Sequence, residues 1–132
     1  MKVIGKPTNR LDGKALAKGK AVFADDIRIK NLLHIKLLYS TIPHGRITKI
    51  NLDDAYSIPG VVAIMTHKDF RPHYYTTAGQ GYPEPSPRDT MVLNPVVRFV
   101  GDKVAVIAAE SVEAAELARD AIQVEYEKYP AI

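Results

Sequence analysis

The sequence predicts an α/β (α+β) domain with a mixed sheet and a C-terminal strand–helix–strand unit, and three observations carry that prediction. Two apolar runs starting at Val96 and Val104 are separated by Gly101-Asp102, a two-residue hairpin signal with glycine at the first central position. Ala114, Leu117, Ala118, Ala121 and Ile122 fall at i, i+3, i+4, i+7 and i+8, which is the apolar stripe of a helix. Val124 and Tyr126 alternate with Glu125 and Glu127, the pattern of a strand with one wet face. Val104–Ala109 is apolar on both faces and reads as an interior strand. Ser111 supplies the helix N-cap, and Glu113 lies in the first turn, where the helix dipole favours negative charge. Strand, helix and strand in this order fit a right-handed crossover within one sheet.

The upstream elements follow from local signals. Residues 1–20 lack periodicity and read as an N-terminal arm, and Ala21–Ala24 reads as a short strand before Asp25 and Asp26. In Leu32–Tyr39, His34 and Lys36 alternate with Leu33, Ile35 and Leu37, so a strand is expected, broken by Ile42-Pro43-His44-Gly45. Asp53 or Asp54 is expected to cap a helical turn over Ala55–Ile58 that Pro59-Gly60 ends. Val61–Met65 reads as a buried strand, and Thr66–Phe70 as a single turn. Residues 71–95 form a long Pro/Tyr loop: five of the nine prolines lie there, together with Tyr74, Tyr75 and Tyr82. A connection of that length without periodicity is usually functional or mobile.

At 132 residues the chain is one domain, 1–132, able to bury roughly 65–70% of its unfolded surface. The net charge of +3 is unevenly spread. Lys2, Lys6, Arg10, Lys14, Lys18 and Lys20 make the start basic, whereas Glu110, Glu113, Glu116, Asp120, Glu125 and Glu127 make the end acidic. That asymmetry points to opposed faces or to complementary surfaces of a larger assembly. No dense basic stripe with interleaved aromatics is present, so a nucleic-acid partner is not expected. The longest apolar run, Val104–Ala109, falls far short of the ~20 residues of a membrane span, so no membrane partner is expected either. There is no cysteine, hence no disulfide, thiolate metal site or iron–sulfur ligation within these residues. The first twenty residues hold no signal-peptide core, and a cytoplasmic location is expected.

The residue chemistry yields no catalytic, cofactor-binding or metal site. His34, His44, His67 and His73 lack ligand spacing, and His44 between Pro43 and Gly45 reads as a turn residue. The pairs Asp25–Asp26 and Asp53–Asp54 are explained by capping and solvation, and Glu113, Glu116 and Asp120 by the polar face of a helix. Ser40, Ser57, Ser86 and Ser111 lack a nucleophile-elbow context. Gly79-Gln80-Gly81 precedes prolines rather than a helix start, so no phosphate cradle is implied.

Two stretches carry a family resemblance. One runs from Arg10-Leu11-Asp12 through Lys18–Asp26 to Leu38-Tyr39-Ser40-Thr41-Ile42-Pro43-His44-Gly45-Arg46-Ile47 and Ile58-Pro59-Gly60-Val61-Val62-Ala63. The other runs from Val97-Arg98-Phe99-Val100-Gly101-Asp102 to Val124-Glu125-Tyr126-Glu127-Lys128-Tyr129-Pro130-Ala131. In order and spacing they resemble the N-terminal α/β-hammerhead domain of the molybdenum-binding large subunit in the xanthine dehydrogenase/aldehyde oxidase family. The resemblance is weakest across residues 71–91.

Such subunits hydroxylate a carbon of an aldehyde or N-heterocycle with water at a molybdenum–pterin centre. The resemblance implies iron–sulfur clusters and FAD on companion domains or subunits. It places the pterin-binding segments and the glutamate base in the family's later domains, so none of those residues is expected here. The implied partners are the catalytic molybdenum-binding domains of the same subunit and the iron–sulfur and FAD subunits or domains. The chain then reads as a structural portion of a larger oxidoreductase subunit, inactive alone. Two other readings stand beside it: a free-standing interaction module that binds a protein through Tyr74, Tyr75 and Tyr82, and a small hydrolase using His and Asp residues.

Overall fold

In the computed structural model, which describes residues 4–77 and 86–131, the chain divides into two units, Met1–Leu32 and Leu33–Ile132. In the first unit α1 (Gly13–Ala17) forms inside the stretch expected to be irregular. Five residues are too few to show a helical period, but the end of α1 is well specified. Gly19 adopts φ +64°, its N–H donates to Leu16 O at 3.0 Å, and the Lys20 N–H donates to Ala15 O at 2.8 Å. That pair of bonds is the Schellman stop, which favours glycine at the left-handed position. The strand expected at Ala21–Ala24 is absent, and Ala24–Asp26 make a 3₁₀ turn instead. Phe23 N–H donates to the Asp26 carboxylate at 3.0 Å, a local bond that competes with strand pairing. Among residues 4–32 none is buried.

The second unit holds β1 (His34–Tyr39), β2 (Gly45–Asn51), α2 (Asp53–Tyr56), β3 (Val61–Thr66), β4 (Val96–Val97), β5 (Lys103–Ala109), α3 (Val112–Ala121) and β6 (Gln123–Lys128). They form two three-stranded sheets, β1-β5-β3 and β4-β2-β6, in which every pairing is antiparallel. The α/β class therefore stands, with two antiparallel sheets in place of one mixed sheet. The strand–helix–strand unit is present as β5–α3–β6. Its two strands enter different sheets, so α3 joins the sheets rather than making a crossover within one.

The Gly101-Asp102 turn explains the change. β4 and β5 flank it but do not pair, so it is not a hairpin. The Asp102 N–H donates to Phe99 O at 3.2 Å, which puts Gly101 (φ +97°) third in a four-residue turn, where a type II turn needs glycine. Buried Ser40 holds this turn from the end of β1: its N–H donates to Asp102 O at 2.7 Å, and its carbonyl accepts from Gly101 N–H at 2.8 Å. The Asp102 carboxylate accepts the backbone N–H groups of Arg98 and Lys103. The chain thus leaves one sheet and enters the other through a pinned corner.

The main core lies between the β1-β5-β3 sheet and α3. Ala105, Ile107 and Ala109 of β5 and Ile64 of β3 pack with Ala114, Ala115, Ala118 and Ile122, and with Ala55 of α2. Ser111 caps α3 as expected, its hydroxyl accepting the Ala114 N–H at 3.1 Å. One position of the predicted stripe is corrected: Leu117 is 61% exposed and Ala115 is buried. The buried stripe is centred near Ala118 and Ile122, which leaves Leu117 about a third of a turn away. A second cluster joins Ile42, Ile47, Val97 and Val104.

Three further expectations change. The first turn of α2 contains Asp53 and Asp54, the N-cap position is Leu52, and Asn51 Oδ1 accepts the Asp53 N–H at 3.1 Å. β3 is an edge strand, with Val62 52% and Met65 43% exposed, so it is only half buried. The end of the Pro/Tyr loop is core: Leu93 is 1% exposed, and Pro95 O accepts the Ile47 N–H at 2.8 Å. Tyr75 and Thr90 form an isolated bridge within that loop, and Tyr82 lies outside the described residues. No helix among the described residues is long and apolar enough to cross a membrane.

Candidate functional site

Several titratable side chains of the second unit have local partners. His44 sits in the bend before β2, where its Nδ1 meets Pro130 O at 2.9 Å. Its ring meets Tyr129 edge-on at 5.3 Å between centroids and 84° between planes, and the Tyr129 N–H donates to His44 O at 3.0 Å. His44 therefore clasps the chain after β6 to the β1–β2 bend. Its Nδ1, taken up by a carbonyl, is not available as a base.

The three acidic residues of α3 also have local partners. Glu116 of α3 accepts from Lys36 Nζ at 2.7 Å, and Asp120 pairs with the adjacent Arg119. The Glu113 carboxyl is held below its ordinary pKa by its own backbone N–H and by the Ser111 hydroxyl, as an N-terminal acid should be. Burial raises the Tyr126 phenol, with a smaller opposing effect from a hydrogen bond to Ser40. No group of three or more His, Cys, Asp or Glu side chains gathers to hold a metal among the described residues.

Two clefts flank the pinned corner. The larger, about 460 Å³ and open, is lined by Pro43, His44, Arg98, Phe99, Val100 and Ala131. The smaller, about 80 Å³, includes Asn94 and Asp102, whose side-chain oxygens already accept backbone N–H groups. Neither brings a nucleophile to a base.

Among the described residues, His67 carries the one buried side-chain polar atom without a partner. In the turn after β3 its Nδ1 is buried with no hydrogen-bond partner among the described residues. Desolvation first, and the Lys68 charge second, lower its pKa, with Asp69 opposing. The fold thus favours the neutral ring. The stability tied to that preference is whole above about pH 6.5, the unfolded value, and is lost as pH falls through the lower folded value. His67→Gln is expected to flatten the fall in Tm between pH about 7.5 and about 5. Equal falls in the two proteins would remove His67 as the source.

A surface rather than a pocket is the most unusual feature. The β1-β5-β3 register sets Ile35, Ala108 and Ala63 in one row, and Leu37, Val106 and Met65 in the next. All six are exposed or half-buried and belong to neither core cluster. The sequence signal for this face was the doubly apolar β5, which periodicity alone assigned to burial without saying by what.

Comparison with known proteins identifies the fold. The family described as aldehyde oxidase and xanthine dehydrogenase, a/b hammerhead domain, matches residues 18–130. This chain belongs to that family. The hammerhead domain is 39% identical over 127 residues to the probable hypoxanthine oxidase XdhD of Escherichia coli O157:H7, covering 96% of this chain and 13% of that protein. It is 35% identical to the xanthine dehydrogenase molybdenum-binding subunit of the same organism, covering 93% of this chain and 17% of that subunit. Quinoline 2-oxidoreductase from Pseudomonas putida 86 superposes with a TM-score of 0.82 at 33% identity, over 98% of this chain and 17% of that structure. The hammerhead domain thus spans 13 to 17% of the length of these relatives, all of them oxidoreductases.

Proposed function

We propose that this hammerhead domain is a structural module of a molybdenum hydroxylase large subunit of the xanthine dehydrogenase kind, and that it carries no catalytic, cofactor-binding or metal residue of its own. The observation that carries the reading is the match over 96% of this chain to 13% of an oxidoreductase, which leaves ample polypeptide elsewhere for chemistry. The donor set supports this reading: cysteine is absent, and no cluster of metal-ligand side chains gathers among the described residues, so they offer molybdenum no ligand set. Every step of hydroxylation is therefore assigned to other domains. The substrate is an N-heterocycle or an aldehyde, and electrons leave through iron–sulfur and FAD domains or subunits. The cytoplasm is the proposed location.

The domain's contribution is rigidity. Its alanine seam lets α3 lie close to the sheet, and the Ser40-bound corner fixes the two sheets to each other. In the purified subunit carrying this domain, replacing His44, His67, Glu113 or Asp102 one at a time is expected to leave molybdenum content intact and kcat within about tenfold. A variant that keeps its fold and its molybdenum but loses activity by about a thousandfold or more would place a catalytic residue here and end this reading.

A further inference from the structure

The β1-β5-β3 sheet is apolar on both of its faces. A half-covered antiparallel sheet normally buries an apolar face and wets a polar one. Here the covered face packs Ala105, Ile107, Ala109 and Ile64 against α3, and it also carries Thr66 and Lys36, whose Nζ reaches Glu116 of α3 at 2.7 Å. The open face carries Ile35, Leu37, Ala63, Met65, Val106 and Ala108, and not one charge. Ile35 is 62% and Met65 43% exposed. Two apolar faces are the composition of a sheet buried on both sides.

The size of the face selects its occupant. Three strands at about 4.8 Å spacing and two rows of side chains give a footprint of roughly 150–200 Å². A stable contact between separate chains needs about 800 Å² on each partner. A second copy of this domain would therefore gain too little here. A segment tethered in the same polypeptide needs no such area, because linkage supplies an effective concentration of about millimolar. The relatives are several times longer than this chain, so they hold such segments in plenty.

The geometry points to an intramolecular docking face: the open side of β1-β5-β3 is covered by an uncharged, aliphatic surface from a part of the large subunit outside residues 1–132. The neighbouring pair Ala63 and Ala108 makes the floor of this face, so the covering element approaches the backbone closely there. This rests on the structural-module reading, which it deepens by naming the surface and its partner.

The test is thiol accessibility in the intact subunit. Ile35→Cys and Met65→Cys are prepared separately and exposed to maleimide before and after unfolding in urea. Residues 1–132 contain no cysteine, so labelled peptides from this domain report only the introduced thiol. The expected result is loss of labelling at both sites in the native subunit and full labelling once unfolded. Both substitutions fall on exposed positions of edge strands, so the domain itself is expected to keep its Tm; a variant that does not is replaced by Leu37→Cys. Native labelling as fast as in urea overturns the inference. Protection that disappears on dilution together with a dimer-to-monomer change in mass makes a second copy the occupant and also overturns it. So does protection lost when companion subunits are removed. Molybdenum content of the same preparation separates the two readings. A molybdenum-loaded subunit with open thiols defeats only the docking face, whereas a subunit without molybdenum defeats the module reading whatever the thiols do.

Discussion

Gly45→Ala is expected to destabilise this domain by about 3 kcal/mol, at the upper end of what overpacking costs. A Cβ at this position would lie 2.5 Å from Glu127 O, 2.7 Å from Ile42 Cδ1 and 3.3 Å from Lys128 Cα. Two of those three atoms are backbone of β6, which pairs with β2 opposite this residue, so no rotamer change can relieve the clash. Gly45 also pairs with Val97 of β4 on its other side, and the strand is held between two neighbours. β6 must move away, which opens the Ile42–Ile47–Val97–Val104 cluster and pulls Pro130 from His44. The expected fall in Tm is about 10 °C for a chain of this size. Gly13→Ala in α1 is the matched control. A Cβ there meets only the Arg10 Cβ, at 3.5 Å, and a helical glycine gains about 0.5–1 kcal/mol on becoming alanine. A Tm for Gly45→Ala equal to that of the control would show that β2 and β6 are not packed as closely as the structure has them.

Gly45 also marks the limit of what was legible in the sequence. The signal Pro43-His44-Gly45 reads locally as a strand break, and it is one; the reason for glycine is a backbone passing from the far end of the chain. The same division runs through the fold. Ser111, Glu113 and the alanine spacing determine α3 by contacts within four residues, so the helix and its cap were readable. β5 was readable as interior because apolar residues on both faces leave no wet side. Which sheet each strand joins was not readable, since Gly101 serves a type II corner as well as a type II′ hairpin, and the choice is made by Ser40, sixty residues away. Leu117 and Ala115 exchanged places for the same reason: periodicity marks a broad apolar arc, and the partner sheet selects its centre. At the functional level the local signals for chemistry were empty, and the family was carried by spaced motifs such as Leu38–Ile47 and Arg98–Asp102. The open sheet face could not be read as a site, because an apolar strand looks the same whether its own domain or another one covers it.

Ile107→Ala and Ile35→Ala put that last point on a measurable footing. The two isoleucines belong to adjacent strands of one sheet, one on each face. Ile107 is fully buried in mid-β5, paired with Lys36 on one side and Ile64 on the other, and packed into the alanine seam. Its truncation removes three carbons at a site walled by Ala105, Ala109, Ala115 and Ala118, whose short side chains cannot reach in to fill the space. The expected loss is about 4 kcal/mol, from transfer plus an uncollapsed cavity. Against a total stability of about 5–15 kcal/mol that is enough to leave much of the chain unfolded under mild denaturant. Ile35 is 62% exposed, and in this chain its truncation is expected to cost less than about 1 kcal/mol. Urea midpoints of the two variants measure the difference directly. In the intact large subunit the ranking should narrow, because a covered Ile35 loses buried area as Ile107 does. A cost for Ile35→Ala that stays below about 1 kcal/mol in the subunit as well would mean that the face remains in water. A cost that rises toward that of Ile107→Ala would mean that this sheet completes its burial only within the larger polypeptide.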